Sequence, residues 1–188
     1  MKRPLRSRLP LVAAALFLAG CGYNTIQTMD ERVNQAQGQI QTQLQRRADL
    51  IPNLVNTVKG VTKQEDTVFI SIANARARLG GAIQTGNVRE MGSADSALTQ
   101  GLGRLLAIAE NYPQLQSSQN FRQLQDQLEG TENRISVARQ DYNTAVGEYN
   151  AYIRRFPYNL TAKVFGMGAP RDYFQASQGA AQAPTVTF

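Results

Sequence analysis

The chain contains no histidine and one cysteine, Cys21. Without an imidazole, neither a Ser-His-Asp nor a Cys-His nucleophile can be assembled. Zinc would have to be held by carboxylates alone, an unusual donor set. No Gly-rich phosphate loop of the P-loop or dinucleotide type is present. These absences lead to the expectation of no metal, no cofactor and no enzyme. A lone thiol forms no internal disulfide, so an exported domain of this sequence must be held by its own core. Proline is sparse: between residues 26 and 157 it occurs only as Pro52, Pro113 and Pro157, which favours long helices. The apolar run Leu9–Cys21, interrupted by Pro10, has 13 residues, against the ~20 that a membrane-spanning helix requires.

That run follows MKRPLRSR, whose Lys2, Arg3, Arg6 and Arg8 meet no acid. A basic start and a short apolar stretch are the layout of a secretory signal. Leu18-Ala19-Gly20-Cys21 resembles a bacterial lipobox, which implies cleavage before Cys21 and acylation of its sulfur. Each buried methylene contributes ~0.8 kcal/mol, so two or more chains anchor a protein stably where one is marginal. Gly22, in place of an Asp after the acylated cysteine, favours the outer over the inner membrane in a Gram-negative cell. Removing residues 1–20, four of them basic and none acidic, takes the net charge from +6 to +2 and the length from 188 to 168. The high pI therefore comes largely from the leader, and a nucleic-acid partner, which needs a basic stripe on the folded part, is not expected.

Apolar residues recur at helical spacing through Val33, Ala36, Ile40, Leu44, Ile51, Leu54, Val58, Val61, Val68, Ile72, Ala75 and Leu79, with Arg47 and Glu65 as the two charges in the stripe. Pro52 interrupts it. Either Asp49 caps a new helix with Pro52 in its first turn, or one long helix is kinked at Pro52. Gly80, Gly81 and Thr85-Gly86-Asn87 mark the stop after the second segment. A third segment spans about Val88 to Tyr112, and PQLQSSQN links it, with Ser117 or Ser118 as a cap, to the fourth. There Phe121, Leu128, Ile135, Tyr142, Tyr149 and Phe156 fall every seven residues beside Leu124, Thr131, Ala138, Ala145 and Tyr152, and Pro157 ends the helix.

The pattern predicts an all-α, antiparallel up-and-down four-helix bundle. The expected organisation is a signal peptide at 1–20, a lipid-anchored segment at 21–27, the bundle at 28–174 and a flexible tail at 175–188. In that tail APTVTF alternates like a strand, so that docking on a partner's sheet edge competes with a frayed end.

Three stretches carry a family resemblance: QLQRRADLIPNLVNTVKG at 43–60, NYPQLQSSQNFRQLQDQLEGTENRISVARQDYNTAVGEYN at 111–150, and FPYNLTAK at 156–163 with YFQA at 173–176. Together they resemble the LemA family across essentially the whole mature chain. The resemblance implies a helical four-segment bundle attached to a bacterial membrane and displayed away from the cytoplasm, and it implies no defined reaction. Most members look as if they keep a transmembrane helix where this chain has a lipobox.

The polar candidates are Arg46, Arg47, Asp49 and Asn53 around the proline, and Glu132, Arg139, Asn143 and Asn150 on the fourth helix. On that helix, spacings of four and seven place these groups along the border of the aromatic seam. Arg47 paired with a carboxylate such as Glu132 or Glu110 would hold helix register; Arg46 and Arg47 together would form a groove for an anionic partner. The Tyr142, Tyr149 and Tyr152 row reads as core rather than as a sugar-stacking surface. The functional expectation is a non-enzymatic, membrane-anchored adaptor or scaffold facing the periplasm or cell exterior. Its partners would be the bilayer, through acylated Cys21, and an envelope protein. The alternatives are an envelope hydrolase or transferase working through carboxylates such as Glu132 with Asp141 or Glu110 with Asp49, and a purely structural envelope protein.

Overall fold

The computed structural model describes residues 9–62 and 66–175, with side chains from Gly22 onward. The side chains of residues 9–21, residues 1–8 and 63–65, and the segment beyond Gln175 with its APTVTF lie outside the described residues, so the expected leader, acylated Cys21 and flexible tail fall there. Among the described residues six helices follow one another: α1 (Leu9–Lys59), α2 (Asp66–Thr85), α3 (Val88–Ala109), α4 (Pro113–Gln116), α5 (Gln119–Tyr152) and α6 (Tyr158–Val164). The chain is all-α, and no strand occurs among the described residues.

The four long helices pack chiefly as two pairs, α1 along α5 and α2 along α3. α1 and α5 run antiparallel: Gly22 lies against Tyr158, just past the end of α5, Arg171 links Asp30 to Asn150, and Arg47 meets Glu132. The α2–α3 hairpin turns at Gly86, whose φ of +68° is accessible to glycine without strain. Asn87 caps α3 by accepting a hydrogen bond from the Glu90 amide at 3.2 Å. Gln37 of α1 donates to the Gly86 carbonyl at 2.9 Å, which ties the hairpin tip to the first pair.

Of the two readings of Pro52, the continuous helix holds: α1 runs through it to Lys59, and Asp49 caps no new helix; the chain turns at Gly60 and Val61. The physical reason is visible one turn back. A proline at 52 cannot donate to the carbonyl of Ala48, and a buried carbonyl left without a donor is costly. Arg76 of α2 supplies the missing donor, its Nε reaching the Ala48 oxygen at 2.8 Å.

The core follows the predicted stripes. Val33, Ala36, Ile40, Leu44, Ile51, Leu54 and Val58 of α1 are buried, as are Ile72, Ala75 and Leu79 of α2. On α5 the seam Phe121, Ile135, Ala138, Tyr142 and Tyr149 is buried, with Leu124 and Leu128 partly so. Phe156 departs from the heptad. α5 ends at Tyr152, Ile153 takes the buried place, and Phe156 is 80% exposed because the chain turns there to bring α6 back onto α1. Pro113 opens the short α4 rather than simply closing α3, and Ser118 stands at the N-cap of α5 without a side-chain cap bond.

α2 and α3 are 20 and 22 residues long against 51 and 34 for α1 and α5. The α1–α5 pair therefore outruns the hairpin, and its far end is covered by α6 and the extended segment 167–175. Tyr158 stacks on Tyr152 with ring centroids 4.4 Å apart and lies against Gly22, where an added Cβ would come within 2.6 Å of the ring. Gly22 thus has a packing role of its own, separate from any sorting signal.

Candidate functional site

The eight polar candidates separate into three places. The first is a buried ionic cluster at the level where α1, α3 and α5 meet. Arg47, 5% exposed, donates from Nη1 to Asp95 Oδ1 at 2.9 Å. The same nitrogen approaches Glu132 Oε2 at 2.5 Å, as an ion pair rather than an aligned hydrogen bond. Arg139 Nη2 contacts the other oxygen of Asp95, and the Arg139 guanidinium lies 5.0 Å from the centre of the Phe174 ring.

Asp95 is the hub of this cluster and is fully buried, yet it was not among the sequence candidates. Burial pushes its carboxyl above the ordinary aspartate range, against the pull of Arg47 and Arg139. A sequence signal did exist. Met91, Leu98, Leu102, Leu105 and Ala109 form an apolar stripe on α3 into which Asp95 falls in phase, just as Arg47 falls in the stripe of α1.

The second place is a clamp on the C-terminal segment. The side-chain amide of Asn150 donates to the Arg171 carbonyl at 2.9 Å and accepts from the Arg171 amide at 2.8 Å. Asn143, one heptad earlier, repeats the pattern with Phe174 at 3.0 and 2.8 Å. Each asparagine thus pairs with one extended residue as a neighbouring strand would. Seven helical residues advance ~10.5 Å and three extended residues ~10 Å, so the heptad matches a three-residue step of the strap. Tyr142 and Tyr149 hydroxyls donate to the carbonyls of Asp172 and Met167 at 2.8 and 3.0 Å. Burial raises both phenols above the ordinary tyrosine range. Arg171 closes the strap onto α1 by donating to Asp30 from Nη2 at 2.7 Å and from Nε at 3.1 Å.

The third place is solvent-facing. Arg46, Asp49 and Asn53 are exposed on α1. Gln45 donates to Asp49 at 2.8 Å. Arg46 and Asp49 face an open cleft of about 530 Å³ shared with Asp126, Thr131 and Arg134 of α5. A second cleft of about 510 Å³ lies between α3 and α5, with Leu102, Leu106, Asp126 and Glu129 on its walls and Arg47 and Glu132 at its floor. Arg46 and Arg47 therefore face different environments, and Arg47 is already engaged by two carboxylates.

The carboxylates weighed as acid–base pairs are not assembled around a common point. Glu132 is paired with Arg47, Asp141 is exposed beside Gln39 and Gln43, and Glu110 sits exposed at the end of α3. Among the described residues no group of three or more His, Cys, Asp or Glu side chains is arranged to hold a metal, and no helix is long and apolar enough to cross a membrane.

Two magnetosome proteins of Paramagnetospirillum magneticum, MamQ 1 and MamQ 2, are each 28% identical to the chain, over 88% of this chain and 68% of theirs. Magnetosome protein MamQ of Magnetospirillum gryphiswaldense is 26% identical over the same shares. The LemA family profile matches residues 36–188, from the middle of α1 through the clamp and strap to the last residue. The chain belongs to the LemA family.

Proposed function

We propose that this protein is a lipid-anchored scaffold of the cell envelope, tethered through an acylated Cys21 and displayed on the extracytoplasmic side, with no reaction of its own. The observation that carries this reading is the continuity of α1. One helix runs from the cysteine past the ionic cluster to Lys59 at the opposite end of the bundle, so a tether at Cys21 is stiffly coupled to the clefts. From Cys21 to Lys59 that helix rises ~57 Å, enough to hold the two clefts well clear of a bilayer surface. Both clefts have Asp126 on their walls and mix charge with apolar area, which suits a protein or peptide partner better than a small reacting molecule.

The ionic cluster supports a structural role for its members. Asp95, whose carboxyl burial pushes above the ordinary aspartate range, is sealed from solvent between two arginines, out of reach of a substrate. The relatives, moreover, are named for a cellular structure and not for a reaction. Gly22 favours outer-membrane delivery in a Gram-negative cell.

The test combines metabolic palmitate labelling with proximity labelling from a ligase fused after Phe188. Wild type should take up the lipid label and repeatedly recover the same few envelope proteins, and Cys21→Ser should lose both. Normal palmitate labelling of Cys21→Ser would overturn the anchor. Recovery no different from that of an unrelated lipoprotein would overturn the scaffold.

A further inference from the structure

We infer that the end of the bundle formed by the α5–α6 turn and α6 is a second membrane contact, a collar that docks on an anionic bilayer surface beside the tether. The inference deepens the lipid-anchored reading and rests on it for orientation. Large apolar side chains are concentrated there in the open: Phe156 is 80% exposed, Val164 79%, Leu160 55% and Phe165 54%. Leu160 and Val164, one turn apart, share the outer face of α6, with Phe156 in the turn just before it, while Thr161 and Ala162 on the other side of α6 are buried. This is the division of a helix lying on an interface, with one face in the protein and the other unpartnered.

Charge gives the occupant. From Tyr149 to Arg171 the chain carries Arg154, Arg155, Lys163 and Arg171 and no acid. Arg171 is paired with Asp30, and the other three make no ion pair among the described residues. Apolar side chains interleaved with unpaired cations fit an anionic lipid surface, where the chains enter the headgroup boundary and the charges meet phosphate.

Position agrees. Gly22 packs on Tyr158, and Tyr23 meets Phe165 with ring centroids 4.7 Å apart. The collar therefore lies against α1 at the residues immediately after Cys21. A tether at Cys21 would bring the collar to the bilayer at no further cost in orientation.

The experiment uses the full acylated chain carrying Val164→Cys. With Cys21 blocked by lipid, this is its sole free thiol, and it is labelled with an environment-sensitive fluorophore. Val137→Cys, at an exposed site in the middle of α5, serves as the control. In vesicles of phosphatidylcholine with phosphatidylglycerol, the label at 164 should shift to the blue and be quenched by spin-labelled lipid, and the label at 137 should do neither. Changing Arg154, Arg155 and Lys163 to Gln should lower the inserted-to-free ratio roughly fivefold per charge removed. The unacylated chain, Cys21→Ser with Val164→Cys, should still shift on the same vesicles.

Flotation with the vesicles while 164 keeps the spectrum of 137 would overturn the collar and leave the anchor standing. A shift in the unacylated chain beside a wild type that carries no lipid would support the collar and sink the anchor. A shift without vesicles, accompanied by a doubled mass in solution, would assign the face to a second copy of the chain and overturn the proposal.

Discussion

Arg47→Met removes the central cation of the buried cluster and leaves Asp95 enclosed with Arg139 alone. Removing one partner of a buried ion pair costs ~3–5 kcal/mol, because a charge is left without its counter-ion in a poorly solvating interior. The lower end of that range applies here. Arg139 still contacts Asp95, Glu132 is open enough to turn into water, and Asp95, already disposed by burial to hold its proton, can neutralise itself. A loss of ~3 kcal/mol in a chain of this size lowers the melting temperature by roughly 6–12 °C.

The informative comparison is the triple variant Arg47→Met, Asp95→Leu, Arg139→Met. Replacing a whole buried ionic cluster with apolar residues is often neutral or stabilising, so this protein should recover to within ~1 kcal/mol of wild type, less the contact between Arg139 and Phe174. Thermal unfolding followed by circular dichroism or calorimetry reads both. A single variant that melts with wild type, or a triple variant that melts as low as the summed losses of the three single ones, would refute the account.

Asp95→Asn tests the sign of the acidity shift. The folded state holds the Asp95 proton more tightly than the unfolded chain does, so this group favours folding below the ordinary aspartate pKa and loses that contribution as pH rises through its raised folded value. The stability advantage of wild type over Asp95→Asn in urea should therefore shrink from about pH 4 towards neutrality; an advantage that grows would reverse the assignment. Asn143→Ala and Asn150→Ala orphan the backbone groups of Phe174 and Arg171, each at ~1–3 kcal/mol, and should speed amide exchange across 166–175 before the rest of the chain. Equal protection of that segment in wild type and variants would show that the asparagines do not hold it. Gly101→Ala places a Cβ 2.9 Å from Ile72 Cγ1 and should destabilise the α2–α3 pair, whereas Gly103→Ala, with open space around it, should gain ~0.5–1 kcal/mol in the same melts. The exposed pair Arg89–Asp172 belongs to the class worth under ~1 kcal/mol, so Arg89→Ala should leave the melting temperature nearly unchanged.

What the sequence determined by itself is the class of fold and the seams of its long helices. Burial on one face of a helix imposes a local period that can be read along the chain, and Val33 to Val58 and Phe121 to Tyr149 obey it. It also marked the members of the polar set on α1 and α5, since Arg47 interrupts an apolar stripe and Asn143 and Asn150 keep a heptad. Tertiary structure decided their partners. Asp95 joins Arg47 to Arg139 across three helices, Arg76 of α2 satisfies the carbonyl that Pro52 leaves bare, and the two asparagines grip backbone atoms more than twenty residues away. That a buried charge or a freed carbonyl must find a partner is dictated by the composition of its own helix. Which residue answers depends on how separate helices come into register, and no periodicity within one helix encodes that.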